Sequence, residues 1–484
     1  MKREFLLNII FLLAANLLIK PFYLFGIDRT VQNTVPESEY GLYFALFNFT
    51  FLFQIVNDFG IQNYNNRHIA QHGQLLIKYF PNFIILKGLL SLIYLALVLS
   101  VGWWAGYTLP HFSLLLFIAF NQILFSLVLY LRSNVSGLGH YRLDSLLSVT
   151  DRLLLIVICS FLLWGDLMPA PFRIEWFVWA QTASLSITAL LSLGIVSRKL
   201  PRFRFRVHTA FLWYLLRESA PYALSIFLMS AYYRLDGIMI EQLLPDGPRE
   251  AGLYASAYRL YEAANMVGFL FAGLLLPIFS RMLAGKEAIA PLACFSFKLI
   301  TLSGIILLVG VGFYSTEIMQ LLYTSGSAYS GKILLFLCGS YLAVAGTYVF
   351  GTLLVASNNT RQLNYVFGIG LAINLSLNLL LIPTLKAQGA AMATLATQVF
   401  ILTGELFVAR RQLQLKVPVN VWGQLAGAAL LLLAMGWSIQ IWTPLGWHWS
   451  FLSIIALGGL IALSFVLRSG QVITLREGKP AQKP

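Results

Sequence analysis

The chain is a succession of long apolar runs separated by short polar breaks. Fourteen runs of roughly 18–25 apolar residues stand out, the length a helix needs to cross a bilayer core. They cover about residues 5–27, 40–61, 80–104, 112–130, 146–164, 174–196, 220–240, 253–278, 299–313, 333–355, 365–382, 390–407, 421–441 and 449–466. The ninth and twelfth are among the shortest. The pattern predicts an all-α integral membrane protein with about 14 transmembrane helices. The opening MKREFLLNIIFLLAANLLIK imitates a secretory leader. It lacks a clear small-residue cleavage site and its apolar run continues to Ile27, so it is expected to remain as the first helix.

The polar breaks test this map. With the N-terminus in the cytoplasm, the inside segments hold 22 Lys and Arg, while the outside loops hold only Arg29, Arg173, Arg249, Lys332 and Lys386. That asymmetry is the positive-inside rule, and a missed or invented span would scramble it. Both termini are therefore expected on the cytoplasmic side. Trp103, Trp104, Trp164, Trp176, Trp179, Trp442, Trp447 and Trp449 fall near the expected outer ends, where aromatic side chains bridge lipid and water. The inside linker RKLPRFRFRVHTAFLWYLLRES (198–219) is basic, then amphipathic. It reads as a surface helix on anionic lipid that joins two halves of the chain.

Composition agrees. The 484 residues are 58% hydrophobic and 11% charged, with mean hydropathy +0.76, far from a soluble globular domain. The net charge of +14 could indicate nucleic acid, but its placement in inside segments assigns it mostly to topology. Cys159, Cys294 and Cys338 lie in apolar runs without a CxxC, which argues against a disulfide framework or a zinc site.

A weak repeat divides the chain. EYGLY (39–43) and EAGLY (250–254) stand 211 residues apart, each at the outer start of the second span of a six-span half. Six is even, so the halves share orientation, as in parallel-repeat transporters. Chance and a common helix-start preference are the alternative. The expected organisation is residues 1–208, 209–412 and 413–484: two six-helix lobes, then two further helices with a tail.

Five cations lie deep in the apolar spans: Lys20, Lys87, Arg152, Arg234 and Arg259. Each costs roughly 2.5–3.5 kcal/mol at mid-membrane even on a gentle scale, so lipid-facing positions are excluded. The deep acids are Asp58, Asp151, Asp236 and Glu262, with Glu405 nearer the inner end of the twelfth span. They fit either coupling to H⁺ or Na⁺, or structural pairing. Arg259 and Glu262 are i,i+3 neighbours and can pair; Arg234 and Asp236 are i,i+2 and point apart, so each needs a partner on another helix, for which Arg259 or Glu262 is a candidate. Lys20 and Arg234 occupy near-equivalent places in the two halves, which suits a doubly charged anion. The alternative is that these residues only cross-link the bundle. Tyr232, Tyr233, Tyr254, Tyr258 and Tyr261 fall nearby, as sugar-stacking candidates or as ordinary packing. GSAYSGKI (326–333) nearly matches a phosphate loop, but no Ser or Thr follows Lys332 and no strand precedes it. No outer loop carries a convergent catalytic set, which disfavours a membrane polymerase or ligase; His111 stands alone in its loop.

NLSLNLLLIPTLKAQGAAMAT (374–394) resembles the polysaccharide and oligosaccharide-lipid flippases of the MATE-like (MOP) superfamily. DFGIQNYNNRHIA (58–70) is similar to that family's second-span exit, and EAGLYASAYRL (250–260) to its eighth-span start. The resemblance implies two lobes in a V, a cation-lined lumen and alternating access. It implies a lipid-linked substrate: an oligosaccharide on polyprenyl pyrophosphate, such as an O-antigen, capsule or exopolysaccharide unit. Transport would run from the inner to the outer leaflet of the bacterial inner membrane. The lumen cations carry over to Lys20, Arg152, Arg234 and Arg259. Spans thirteen and fourteen resemble those of lipid II flippases, where they shape a lipid groove. A multidrug or cation exporter of the same superfamily is the rival, with twelve spans and a less cationic lumen. Expected partners are the lipid-linked oligosaccharide, membrane lipid, and polysaccharide polymerase and chain-length proteins; the protein is expected to be a monomer, with no nucleic acid and no cofactor beyond a coupling cation.

Reporter fusions check the topology: a fusion at Pro171 should report the outside and one at Arg204 the cytoplasm. The reverse pair would overturn it.

Overall fold

The computed structural model describes residues 18–61, 75–107, 111–165, 171–198, 209–442 and 446–477. Residues 5–17 of the first span, 62–70 of the second-span exit and 199–208 of the basic linker lie outside the described residues. The described residues are overwhelmingly helical, and no strand occurs among them. After a π-helical stretch at Tyr23–Asp28, fourteen helices follow: α1 (Arg29–Thr34), α2 (Glu37–Leu52), α3 (Gln54–Asp58), α4 (Leu75–Trp104), α5 (His111–Gly137), α6 (Tyr141–Trp164), α7 (Ile174–Ser197), α8 (Thr209–Leu243), α9 (Gly247–Ala284), α10 (Ala290–Leu322), α11 (Ala328–Ala356), α12 (Thr360–Leu413), α13 (Val419–Trp442) and α14 (Trp447–Glu477). Ten of them are long and apolar enough to cross a membrane, among the described residues. The protein is a multi-pass membrane protein.

The breaks have local causes. Pro36, in extended conformation, opens α2, whose first turn carries Glu37 and Glu39 against the positive end of the helix dipole. The second expected span divides into α2 and α3 at Phe53 and ends at Phe59, which is left-handed. The eleventh and twelfth expected spans form one long helix, α12, interrupted at Lys386 (φ 54°, ψ −137°) just after Pro383. A proline cannot donate its backbone bond, and it crowds the turn before it. The near-phosphate-loop stretch is a capping box. Ser327 and Ser330 satisfy each other's backbone N–H at the start of α11, and Lys332 is exposed on the helix. The second part of the linker departs from expectation. Rather than a separate surface helix, its residues from Thr209 onward are continuous with α8, which runs on through Pro221 into the apolar run.

The chain packs into two compact units, residues 1–255 and 256–484. The first includes α8 and the start of α9, because α8 packs along α2. Within this unit the two copies of the repeated motif meet. A Cβ on Gly41 would stand 1.7 Å from the Pro248 carbonyl oxygen, and one on Gly252 would stand 2.3 Å from that of Glu37. Only glycine lets two helix starts approach so closely. The contact is reinforced by Gln32 Nε2, which donates to the Gly252 carbonyl at 3.0 Å, and by Arg249–Glu37 at 3.1 Å. In the second unit, α10 packs along α11, and α11 along α12. The last two helices, α13 and α14, lie against α10.

Gly41→Ala should therefore destabilise the protein by about 1–3 kcal/mol, the usual range for overpacking. Gly88→Ala, whose Cβ would meet nothing within 4 Å, should leave stability unchanged. Melting of the two purified variants in detergent measures this; equal melting temperatures would contradict the contact.

Candidate functional site

The π-helical stretch places a basic cluster in the first unit. Tyr23 lies at its start, and the Arg152 guanidinium from α6 sits 4.6 Å above the Tyr23 ring centroid. A guanidinium over an aromatic face is held in place by the ring. Lys20, one turn before Tyr23, lies in the field of Arg152, Arg132 and Asp151. Arg132 on α5 is bonded to Asp144 at 2.8 Å, and Arg152 stands 3.6 Å from Asp151. The cluster thus sets three cations against two acids and keeps a net positive charge. The sequence marks Lys20 and Arg152 as lumen cations by resemblance and Asp151 as a deep acid, without bringing the three together. Arg132 and Asp144 were missed as members, because Arg132 was counted as an inside-loop residue.

Arg234 and Asp236 turn to different neighbours on α2 and α9. Arg234 Nη1 donates to Asn48 Oδ1 at 3.1 Å, and its guanidinium lies 4.6 Å from the Phe51 centroid and 5.6 Å from that of Phe47. Asp236, fully buried, accepts from Tyr254 Oη at 2.8 Å. A similar pair closes the start of the chain: Tyr40 Oη donates to the buried Asp28 at 2.9 Å. In each half, an aspartate of the first span takes a tyrosine hydroxyl from the second span. Asp28 adjoins Arg29 at an apparent loop, and its partner Tyr40 stands at the variable position of the E-x-G-L-Y motif, opposite Ala251, so the repeat does not mark the pair. Asn48 on α2 and Tyr254 on α9 are thus partners of this arginine and aspartate within the first unit.

Lys87 is a buried internal cation. Its ammonium lies 2.5 Å from Asp58 Oδ1 and 2.5 Å from Ser126 Oγ, and 3.5 Å from the Asn57 carbonyl. This set satisfies all three of its donors. Asp58 and Ser126 also line a cleft of about 170 Å³ with Gln54, Phe51, Phe227 and Ser230.

In the second unit, Arg259 Nη1 bonds Glu262 Oε2 at 2.7 Å, the i,i+3 pairing the spacing predicts. Tyr258 is buried and packs its ring 5.4 Å from that of Tyr261. In the first unit, Tyr232 is buried and Tyr233 half-buried, their ring centroids 4.8 Å apart. Burial at Tyr232 and Tyr258 suits packing more than sugar contact. An apolar cavity of about 630 Å³ opens between α10, α11 and α13, lined by Ile305, Val309, Phe313, Leu342, Trp422 and Trp437 among others. Among the described residues no cluster of three His, Cys, Asp or Glu side chains could hold a metal ion.

Several known proteins share this architecture. A lipid II flippase, MurJ, in an inward closed conformation, superposes with a TM-score of 0.73 at 16% identity, covering 96% of this chain and 100% of that one. An inward-facing multidrug resistance MATE family transporter of the MOP superfamily matches with a TM-score of 0.56 at 15% identity, covering 82% of this chain and 94% of that one. A MOP superfamily transporter from Pyrococcus furiosus matches with a TM-score of 0.53 at 15% identity, covering 84% and 94%. These likenesses fix the fold. No curated protein sequence matches the chain. The model of one sequence family, the polysaccharide biosynthesis proteins, matches residues 5–283, more than half of the chain. With the fold of the MOP superfamily transporters, the chain belongs to the polysaccharide biosynthesis protein family.

Proposed function

We propose that the protein is a flippase for an oligosaccharide carried on polyprenyl pyrophosphate, working from the inner to the outer leaflet of a bacterial inner membrane, with both termini cytoplasmic. The reading makes it a transporter and not an enzyme. The observation that carries it is the cluster of Lys20, Arg132 and Arg152 inside a membrane-spanning bundle of a polysaccharide biosynthesis protein. Three cations against two acids leave charge for an anion, and the flat guanidinium of Arg152 matches the oxygens of a diphosphate. Arg234 is a second candidate, with Asn48 and two phenyl rings orienting its head. The apolar cavity beside α13 has the volume and chemistry for part of a prenyl chain.

A lipid II-type substrate is the second reading. It is favoured by the 96% coverage of this chain by the lipid II flippase fold, against 82% for the multidrug transporter. Both substrates share a polyprenyl pyrophosphate and differ in the sugar. The inside-negative potential favours outward movement of such an anion by about 2.3 kcal/mol per charge per 100 mV. Alternating access and coupling of the return step to H⁺ or Na⁺ complete the reading.

Export of surface polysaccharide, measured in cells that depend on this gene and with membrane levels checked by immunoblot, tests it. Arg152→Ala and Arg234→Ala should each reduce export at least tenfold at normal membrane levels, and Arg152→Lys should retain part of it. Normal export from both alanine variants would overturn the assignment. Lys87→Ala should act differently. It strands the mostly buried Asp58, costs about 3 kcal/mol, and should lower the amount of protein in the membrane.

A further inference from the structure

Glu405 lies in the second part of α12 and is fully buried, 0% exposed. Both of its carboxyl oxygens are shut from solvent, and the polar group beside them is the Thr347 hydroxyl of α11. That hydroxyl, Thr347 Oγ1, is itself buried. Gly351, one turn beyond Thr347, makes the room: a Cβ there would stand 2.8 Å from Glu405 Oε1. The carboxyl group is thus set into the seam between α11 and α12.

Among the described residues no counter-charge faces it. α11 packs along α12, and at this level it presents Thr347 and Gly351, neither of which ionises. The ionisable groups of α11 are engaged or placed elsewhere. Tyr348 Oη donates to Asn265, Cys338 and Tyr341 lie nine and six residues before Thr347, and Lys332 is exposed at the helix start. On α12 itself, Arg410 and Arg411 are exposed in the last turn. An ionised carboxylate with no counter-charge and at most one hydroxyl for company is strongly disfavoured in a dry interior, and such a group takes a proton instead. The same charge in contact with water carries no such penalty.

We propose that Glu405 is a proton-binding site of the α11–α12 seam, protonated while the two helices are packed and releasing its proton to water only when the seam opens. The step is Glu405–COOH + H₂O ⇌ Glu405–COO⁻ + H₃O⁺; one O–H bond breaks, another forms, and nothing is oxidised or reduced. Opening of the seam and proton release are then one event, so acid favours the packed form and alkali the open one. The inference stands apart from the identity of the transported lipid.

Infrared difference spectroscopy on the full-length protein in lipid nanodiscs tests it, comparing wild type with Glu405→Gln. At neutral pH the difference should contain the carbonyl stretch of a carboxylic acid. As the pH rises that band should give way to a carboxylate band. Backbone hydrogen exchange around residues 347–351 and 405 should then quicken beyond its intrinsic pH dependence in wild type, and should not do so in Glu405→Gln. A carboxylate band already present at neutral pH would overturn the proposal, as would an acid band that never titrates while the protein stays folded. If Glu405→Gln does not fold, Gly351→Ala serves in its place. Its new Cβ should displace the carboxyl group and shift the acid band; an unmoved band would also overturn the proposal.

Discussion

A charge inside lipid has no water to solvate it, so every ionisable group in these helices must find its company within the protein. Much of the structure follows from that constraint. Lys87 is enclosed by Asp58, Ser126 and the Asn57 carbonyl. Arg259 takes Glu262 on its own helix, and Arg234 takes Asn48 and two phenyl rings from another. Asp28 and Asp236 each receive a tyrosine hydroxyl. All of these except the Arg259–Glu262 bond cross between helices that apolar packing alone would leave free to slide, because lipid tails compete with side chains for apolar contact. Polar groups that look like liabilities in the sequence hold the helices in register.

The same bonds separate two kinds of cation. Lys87 is saturated: a lysine has three donors, and three acceptors surround it. Arg152 is more open to solvent. Its side chain is 34% exposed, lies over Tyr23, and has an acid 3.6 Å away, with Lys20 and Arg132 in the same field. A guanidinium stacked on a ring keeps its edge for hydrogen bonding, so stacking orients the group without neutralising it. The first kind of site pairs its charge fully, and the second gathers three basic groups beside two acids. Counting deep cations treats them alike; only their surroundings tell them apart.

The sequence carried the helices well and the partners poorly. Each apolar run covered by the described residues became a helix, because run length and hydropathy are set by the bilayer and need no knowledge of neighbours. Helix ends followed local chemistry, such as Pro36 before α2 and Ser327 before α11. The i,i+3 pair Arg259–Glu262 was legible because both residues lie on one helix. Asn48 as the partner of Arg234 was not, since 186 residues separate them and an asparagine in an apolar run has no distinguishing pattern. Arg132 and Asp144 looked like loop charges, and their place beside Lys20 depends on how α5, α6 and the π-helical stretch come together. The E-x-G-L-Y repeat fell in between. It marked equivalent slots, and its glycines proved to be where the two copies touch backbone to backbone.

On the proposed reading, the energetics of a flippase divide between two requirements that this chain meets with different residues. An anionic pyrophosphate leaving an inside-negative cell moves down its electrical gradient, so loading it needs cations with charge to spare, and the basic cluster at Lys20 and Arg152 supplies them. Resetting the empty carrier is the harder step, because the same cations would then return unneutralised. A group whose charge changes during the cycle eases that step, and it must be one the packed state keeps neutral. Paired acids such as Asp58 and Glu262 are poorly placed for this, since each already balances a cation. A carboxyl buried with no counter-charge fits the requirement, because its protonation follows the packing around it rather than a fixed neighbour, and Glu405 is buried in that way.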